Sequence, residues 1–290
     1  MLPVLFTLHA GGFSIGCCED DDRWNRTFSD LHKVSVVSLN YSKAPWSPYP
    51  TALDDIVALY SAVIEDESLP LDRTKSAILG FSAGGNLALA ACQTPALKNH
   101  ASRPKAVIPV YPPLDFSEEA HAKADRRPYK PSLPGVRGGR DWVIDSAPIF
   151  SWAYIPYGAN LRDPLISPGY AKRADLPENV FIIAAELDYL AYEALQLAHR
   201  LAGKGEVTTT MAGRPEAAVT QELELRDGRF HWEDPHKGVK WLLVPDVVHA
   251  FDMHVGATVA GDRRSVLDAE AKTVKYMKVL GDWLRSRSVW

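Results

Sequence analysis

Gly80-Phe81-Ser82-Ala83-Gly84-Gly85 follows the apolar run Ser76–Gly80 and opens an alanine-rich stretch, Ala83–Ala96. A serine set by glycines between a strand and a helix has the layout of a nucleophile elbow. So sharp a turn forces the serine into a strained backbone conformation. Flanking residues without a Cβ avoid collisions there and leave the hydroxyl exposed. The helix starting at Ala83 aims free backbone N–H groups and a partial positive charge at any oxyanion formed beside the serine. A plain glycine-rich turn would share the string Gly-x-Ser-x-Gly, but not the strand before it and the helix after it.

Outward from this point, short β-branched runs alternate with longer amphipathic ones. Strands are expected at about Val4–Leu8, Val34–Asn40, Ser76–Gly80, Ala106–Val110, Val180–Ala184 and Trp241–Val244, each nearly continuous in apolar residues, as in strands covered on both faces. Helical periodicity marks Thr51–Glu65, Ala83–Ala96, Tyr189–Ala202 and Ser265–Arg285. The alternation predicts an α/β fold in one domain, with a mostly parallel central sheet and helices on both faces. Two segments break the pattern. Residues 113–168 hold Pro, Gly and many aromatics, among them Tyr129, Trp142, Phe150, Trp152, Tyr154 and Tyr157, and are expected to form a cap or lid insertion. Residues 205–238 read as a polar hairpin insertion: alternation in Gln221–Arg226, a turn at Asp227-Gly228, then Arg229–Glu233.

A serine hydroxyl is a weak nucleophile at neutral pH, so it needs a base, and the base needs an acid to orient it. Among the nine histidines, His249 lies just after an apolar strand and before the last helix, where a loop at the carboxyl edge of a parallel sheet would present it. His231, His236 and His254 are less well placed. Asp188 follows the apolar run Val180–Ala185 and precedes a helix, so it reaches the same crevice. Glu186 competes from nearby and Asp252 from farther off; a carboxylate at such a turn also serves as a helix N-cap. The chain order Ser82, Asp188, His249 is that of α/β-hydrolases and not of the chymotrypsin or subtilisin arrangements. At the end of the first strand, His9-Ala10-Gly11-Gly12-Phe13 lets the backbone turn its amides toward a substrate oxygen. With the amide of Ala83, those of Gly11 and Gly12 would form an oxyanion hole, His9 fixing the loop.

The bulk composition narrows the partners. Apolar residues at 46% and charged residues at 23% are ordinary for a soluble globular chain long enough to bury a substantial core. A net charge of −4 provides no global attraction to nucleic acid, so none is expected as a partner. No stretch reaches the roughly 20 apolar residues of a membrane-spanning helix, and no stable membrane insertion is expected. Three cysteines, two of them adjacent at Cys17 and Cys18, make no disulfide framework, and a reducing, cytoplasmic setting is expected. The apolar start Met1–Phe6 lacks a basic leader and reads as a buried strand rather than a signal peptide. Asn25-Arg26-Thr27 fits the glycosylation sequon by composition alone.

The sequence resembles the hormone-sensitive-lipase-like branch of the α/β-hydrolases, microbial and fungal carboxylesterases with an HGGG oxyanion loop and a GDSAGG elbow. The likeness covers nearly the whole chain. Tyr41-Ser42-Lys43-Ala44-Pro45-Trp46-Ser47-Pro48-Tyr49-Pro50 is similar to the family's Tyr-Arg-Leu-Ala-Pro-Glu-x-Pro-Phe-Pro segment, and Thr51-Ala52-Leu53-Asp54-Asp55 to the helix after it. Asp163-Pro164-Leu165-Ile166-Ser167-Pro168 resembles the stretch after the cap, and Asp188-Tyr189-Leu190-Ala191-Tyr192-Glu193 the acid motif. The resemblance implies Ser82 as nucleophile, Asp188 and His249 as its partners, and Gly11, Gly12 and Ala83 as oxyanion donors, acting on a small-molecule ester without metal or organic cofactor.

Four departures bear on that transfer. Ala10 stands for the first loop glycine, a mild change because the next two supply the amides. Phe81 stands for the elbow's usual Asp, exchanging a polar contact for an apolar ring. The chain begins at what resembles the family's third strand, so Val4–Leu8 or its neighbours are expected to be covered or to sit in a contact with a second copy, a homodimer. The hairpin lengthens the gap between Asp188 and His249. Phe13, Phe81, Trp142, Trp152 and Tyr154 are candidates for an apolar substrate pocket. Two alternatives stand beside the esterase reading: a biosynthetic hydrolase acting on a bulky ester, lactone or C–C bond, and a small-molecule receptor without catalysis, which the presence of His249 disfavours.

Overall fold

In the first strand of the computed structural model, β1 (Leu2–Leu8), the side chains of Val4, Phe6 and Leu8 enter one apolar layer and that of Leu5 the other. This is the period of two that a strand imposes, and burial on both faces explains why the segment reads as continuously apolar. The structure describes residues 1–125, 143–207, 220–253 and 263–290. After β1 come α1 (Asp22–His32), β2 (Ser35–Leu39), α2 (Thr51–Glu65), β3 (Leu71–Phe81), α3 (Ala83–Gln93), the single turn α4 (Pro95–Lys98) and β4 (Ala106–Val110). Then follow α5 (Ala120–Asp125), α6 (Ala147–Tyr154), β5 (Asn179–Ala185), α7 (Ala191–Ala202), β6 (His231–Asp234), β7 (Val239–Val244) and α8 (Arg263–Ser286).

The strands form one sheet of order β2-β1-β3-β4-β5-β7-β6, parallel throughout except for β6, which runs antiparallel to β7. Helices α2, α3 and α7 cover one face, their apolar sides joining Phe6, Ile78 and Ile182 in a single core. Helices α1 and α8 cover the other, where Trp24, Phe28, Tyr276 and Trp283 pack on Leu79, Phe81 and Phe181. Each such fully buried side chain contributes about 2 kcal/mol of transfer free energy.

The strand Val4–Leu8, expected with its neighbours to be covered or in contact with a second copy, is internal and paired with both β2 and β3; among the described residues β2 forms the edge on that side. Helix α1, not anticipated, arises from Trp24, Phe28 and His32 at a spacing of four, all buried. Its Asn25 is buried too, which removes the sequon from the surface. The hairpin lies further along: His231–Asp234 pairs with Val239–Val244, while Gln221–Arg226 forms no strand. Asp234 accepts the amides of His236 and Lys237, and Gly238 takes the positive φ (64°) that closes the turn. Of the cap expected over 113–168, α5 and α6 lie among the described residues; Tyr129 and Trp142 lie outside them. No described helix is long and apolar enough to cross a membrane.

Candidate active site

Ser82 sits where β3 gives way to α3, with φ 51° and ψ −118°, a conformation that non-glycine residues rarely adopt. Its neighbours explain how the turn is made. A Cβ on Gly80 would lie 2.0 Å from the Gly84 carbonyl oxygen, and one on Gly84 would lie 2.2 Å from that of Leu8. The elbow closes only because both are absent. The Ser82 amide donates to Val110 on β4, and the Asn86 side-chain amide donates to the carbonyls of Pro113 and Ile166, tying α3 to the loop after β4.

Two loops at the carboxyl edge of the sheet bring the other groups to Ser82. The turn after β5 and the loop after β7 are joined by the Glu186 amide on Val244 and the Leu187 amide on Val247. Across that junction His249 Nδ1 lies 2.6 Å from Asp188 Oδ2, and Nε2 lies 2.9 Å from Ser82 Oγ. Asp188 is fully buried, and its second oxygen accepts the Leu190 amide. With Nδ1–H donated to the carboxylate, the Nε2 lone pair faces the serine hydroxyl and can take its proton. The competing acids are otherwise engaged: Glu186 accepts the Asp246 amide, and Asp252 accepts the hydroxyls of Tyr111 and Tyr276. His231 lies in β6 and His236 in the turn after it, while His254 falls outside the described residues.

Residues 9–16 form the loop beside this site. Gly11 (φ 124°) and Gly12 (φ 55°) occupy backbone regions open to glycine, and the Gly11 carbonyl accepts the amides of Ser14 and Ile15. His9 is buried beneath the loop, stacked on Tyr41 at 4.2 Å, with Nδ1 donating to the Ala10 carbonyl and Nε2 beside Asn40. Burial lowers its pKa, so it remains a neutral, structural imidazole. Ala83 is the first residue of α3, where amides lack intrahelical acceptors. The close approach of Gly84 to Leu8 and His9 sets that helix start against the root of the glycine loop.

The aromatic candidates divide. Phe13 and Tyr154 stack at 3.8 Å, both buried, and so fasten α6 to the glycine loop rather than presenting a free surface. Phe81 lies in the opposite core layer, edge-on to Trp24. Trp152 is 76% exposed on the outer side of α6. Sequence reasoning had not singled out Phe150, whose ring a Cβ on Gly12 would strike at 2.4 Å, or Tyr111, whose ring centre lies 4.7 Å from that of His249. Phe150 was visible only as one aromatic among many in the insertion; Tyr111 carried no signal beyond following an apolar strand. Among the described residues no cluster of three or more His, Cys, Asp or Glu could hold a metal ion.

A family described as α/β hydrolase fold matches residues 5–216. The ethyl acetate hydrolase of Pseudomonas putida is 27% identical over 206 residues, 70% of this chain and 61% of that protein. The acetyl-hydrolase of Streptomyces hygroscopicus is 28% identical over 235 residues, 80% of this chain and 69% of that one. The matched part of the chain thus spans 61% and 69% of the length of these two relatives. The hyperthermophilic esterase from Pyrobaculum calidifontis superposes with a TM-score of 0.71 at 22% identity, over all of this chain and 76% of that one, a likeness of fold.

Proposed function

The chain belongs to the α/β hydrolase fold family, and from that premise we propose that it is a serine hydrolase of carboxylic esters working through an acyl-enzyme. One observation carries the reading: the unbroken chain of contacts from Ser82 Oγ through the His249 imidazole to Asp188. In the first step Ser82 Oγ attacks the ester carbonyl carbon while its proton passes to His249 Nε2. Buried Asp188 holds the imidazolium in register. The negative charge on the carbonyl oxygen is met by the amides of Gly11, Gly12 and Ala83. Collapse breaks the bond to the alcohol oxygen, which leaves with the proton from His249. Water, activated by the same imidazole, then releases the acid and restores Ser82.

We assign a short acyl group to the substrate. The names of the two curated relatives, both concerned with acetyl esters, support this, as does the Phe150 ring packed on Gly12, which narrows the space beside the oxyanion loop. The three cysteines, all free, support a reducing, cytoplasmic setting, and the edge of β2, unpaired among the described residues, supports contact with a second copy. The reading is tested by hydrolysis of p-nitrophenyl acetate together with labelling by a fluorophosphonate. Wild-type protein is expected to turn over the ester and to be labelled at Ser82. In Ser82→Ala, kcat is expected to fall by roughly 10⁶-fold, the scale of losing a triad serine. Wild-type protein that is neither labelled nor active would leave a ligand-binding module, and undiminished turnover in Ser82→Ala would remove Ser82 as the nucleophile.

A further inference from the structure

A polar cluster packed against His249 takes no part in the acyl-transfer steps above. Asp252 lies three residues beyond the histidine, and both of its carboxylate oxygens are held. The Tyr111 hydroxyl donates to Oδ1 at 2.5 Å, and the Tyr276 hydroxyl, from α8, donates to Oδ2. Trp24 on α1 in turn donates its indole N–H to the Tyr276 oxygen. Tyr111 and Tyr276 are fully buried, and burial together with the neighbouring carboxylate pushes both phenols well above their ordinary pKa, so they stay protonated as donors. The same Tyr111 ring lies tilted at 57° on the imidazole of His249. One phenol therefore joins the base to a second carboxylate, distinct from Asp188.

We propose that Asp252 is a positioning residue for His249: its carboxylate fixes the Tyr111 ring against the imidazole and supplies a second fixed negative charge that favours the imidazolium formed as Ser82 attacks. The proposal rests on the acyl-transfer reading. The titratable and charged groups facing Asp252 are Tyr111 after β4, Tyr276 on α8, His249 on its own loop and Asp21 at the start of α1, itself flanked by Asp20 and Asp22. Burial raises the Asp252 pKa, while the two phenol bonds and a charged His249 oppose that rise. Asp21 has no hydrogen-bond partner among the described residues and carries the proton that two neighbouring buried carboxylates would otherwise contest.

The test is the pH dependence of kcat/KM for p-nitrophenyl acetate, measured on the full chain. Activity on the acid side requires neutral His249. Removing a charge that favours imidazolium therefore moves the acid limb to lower pH. For Asp252→Asn the expected displacement is about one pH unit, the size of a single charge acting over several ångströms through an effective dielectric near 20. Asp21→Asn, which replaces a group already neutral over that range, is expected to leave the limb in place. Should Asp252→Asn fail to fold by circular dichroism, Tyr276→Phe serves. It strips one donor from Asp252, touches no catalytic group, and is expected to move the limb in the same direction by less. An acid limb coincident with wild type in whichever of these variants folds would make Asp252 a structural acid only and overturn the proposal. Retained turnover in Ser82→Ala would instead overturn the mechanism beneath it, so the two failures are distinguishable.

Discussion

Replacing Asp21 by Asn should stabilise the protein, and by an amount that depends on pH. Asp21 stands at the N-cap position of α1 but makes no capping bond; the side chain is 2% exposed, and neither oxygen has a hydrogen-bond partner among the described residues. Burial first, then the charges of Asp252, Asp20 and Asp22, push its carboxyl from 3.8 up to about 8. Between those limits the folded chain keeps a proton that the unfolded chain has released. Stability contributed by the protonated acid is complete below pH 3.8 and is lost as pH rises toward 8. The slope is about 1.4 kcal/mol per pH unit, so roughly three units of rise cost about 4 kcal/mol at pH 7. Asparagine has the shape of the neutral acid and no proton to lose. Asp21→Asn should match wild type near pH 4, exceed it by about 4 kcal/mol at pH 7, and gain nothing further beyond pH 8. Urea unfolding followed by the fluorescence of the eight tryptophans, at pH 5, 6, 7 and 8, measures the difference at constant m-value. Curves for the two proteins running parallel from pH 5 to 8 would refute the reasoning, because they would mean that Asp21 ionises alike in both states.

Two further substitutions probe the frame around the site. Gly84→Ala sets a Cβ 2.2 Å from the Leu8 carbonyl oxygen, and backbone must move to admit it. Separating α3 from the glycine loop should lower kcat/KM by roughly 100-fold, with a loss of about 1–3 kcal/mol in stability; unchanged kinetics would show that the loop is positioned by other contacts. Lys123→Met removes the cation 2.6 Å from Glu193, a pair buried between α5 and α7, and should cost about 3–5 kcal/mol at pH 7. Burial already raises the Glu193 pKa, so protonation should restore part of that loss as pH falls toward 5, which unfolding at the two pH values would reveal.

The strands were legible because both faces of the sheet are covered, so β4 and the carboxyl-terminal parts of β3, β5 and β7 (Ala77–Phe81, Val180–Ala185 and Trp241–Val244) each appear as an apolar run, whereas the polar start of β3, Asp72–Ser76, hid its first half. Ser82 was legible for a different reason: the backbone crossings at Gly80 and Gly84 admit no side chain, and that prohibition is written as glycine. Helix α1 was hidden because acids and asparagine dilute its apolar stripe to three residues. The hairpin slipped because Asp227-Gly228 has the chemistry of a turn and does form one, with Asp227 accepting the Arg229 amide, but it is the turn that leads into β6. The pocket aromatics could not be sorted. Pattern places a ring on an element, whereas the stacking of Phe13 on Tyr154 joins segments more than a hundred residues apart.

The same limit applies to the acids, and it bears on how the site is held. Asp188 and Asp252 both lie in loops near His249 and are chemically identical, yet Asp188 meets the imidazole and an amide while Asp252 meets two phenols. The difference originates in the turn after β4 and in α8, which supply Tyr111 and Tyr276, and nothing local to either aspartate encodes it. Around these groups stand the costly features of the fold: the strained backbone at Ser82, of the order of 1–3 kcal/mol, and the unpartnered acid at Asp21. Both border the layer where Trp24, Phe81, Tyr111 and Tyr276 are buried almost completely. Close packing there leaves no alternative arrangement into which the strained turn could relax, so the apolar layer behind the site is what keeps the serine hydroxyl on the imidazole.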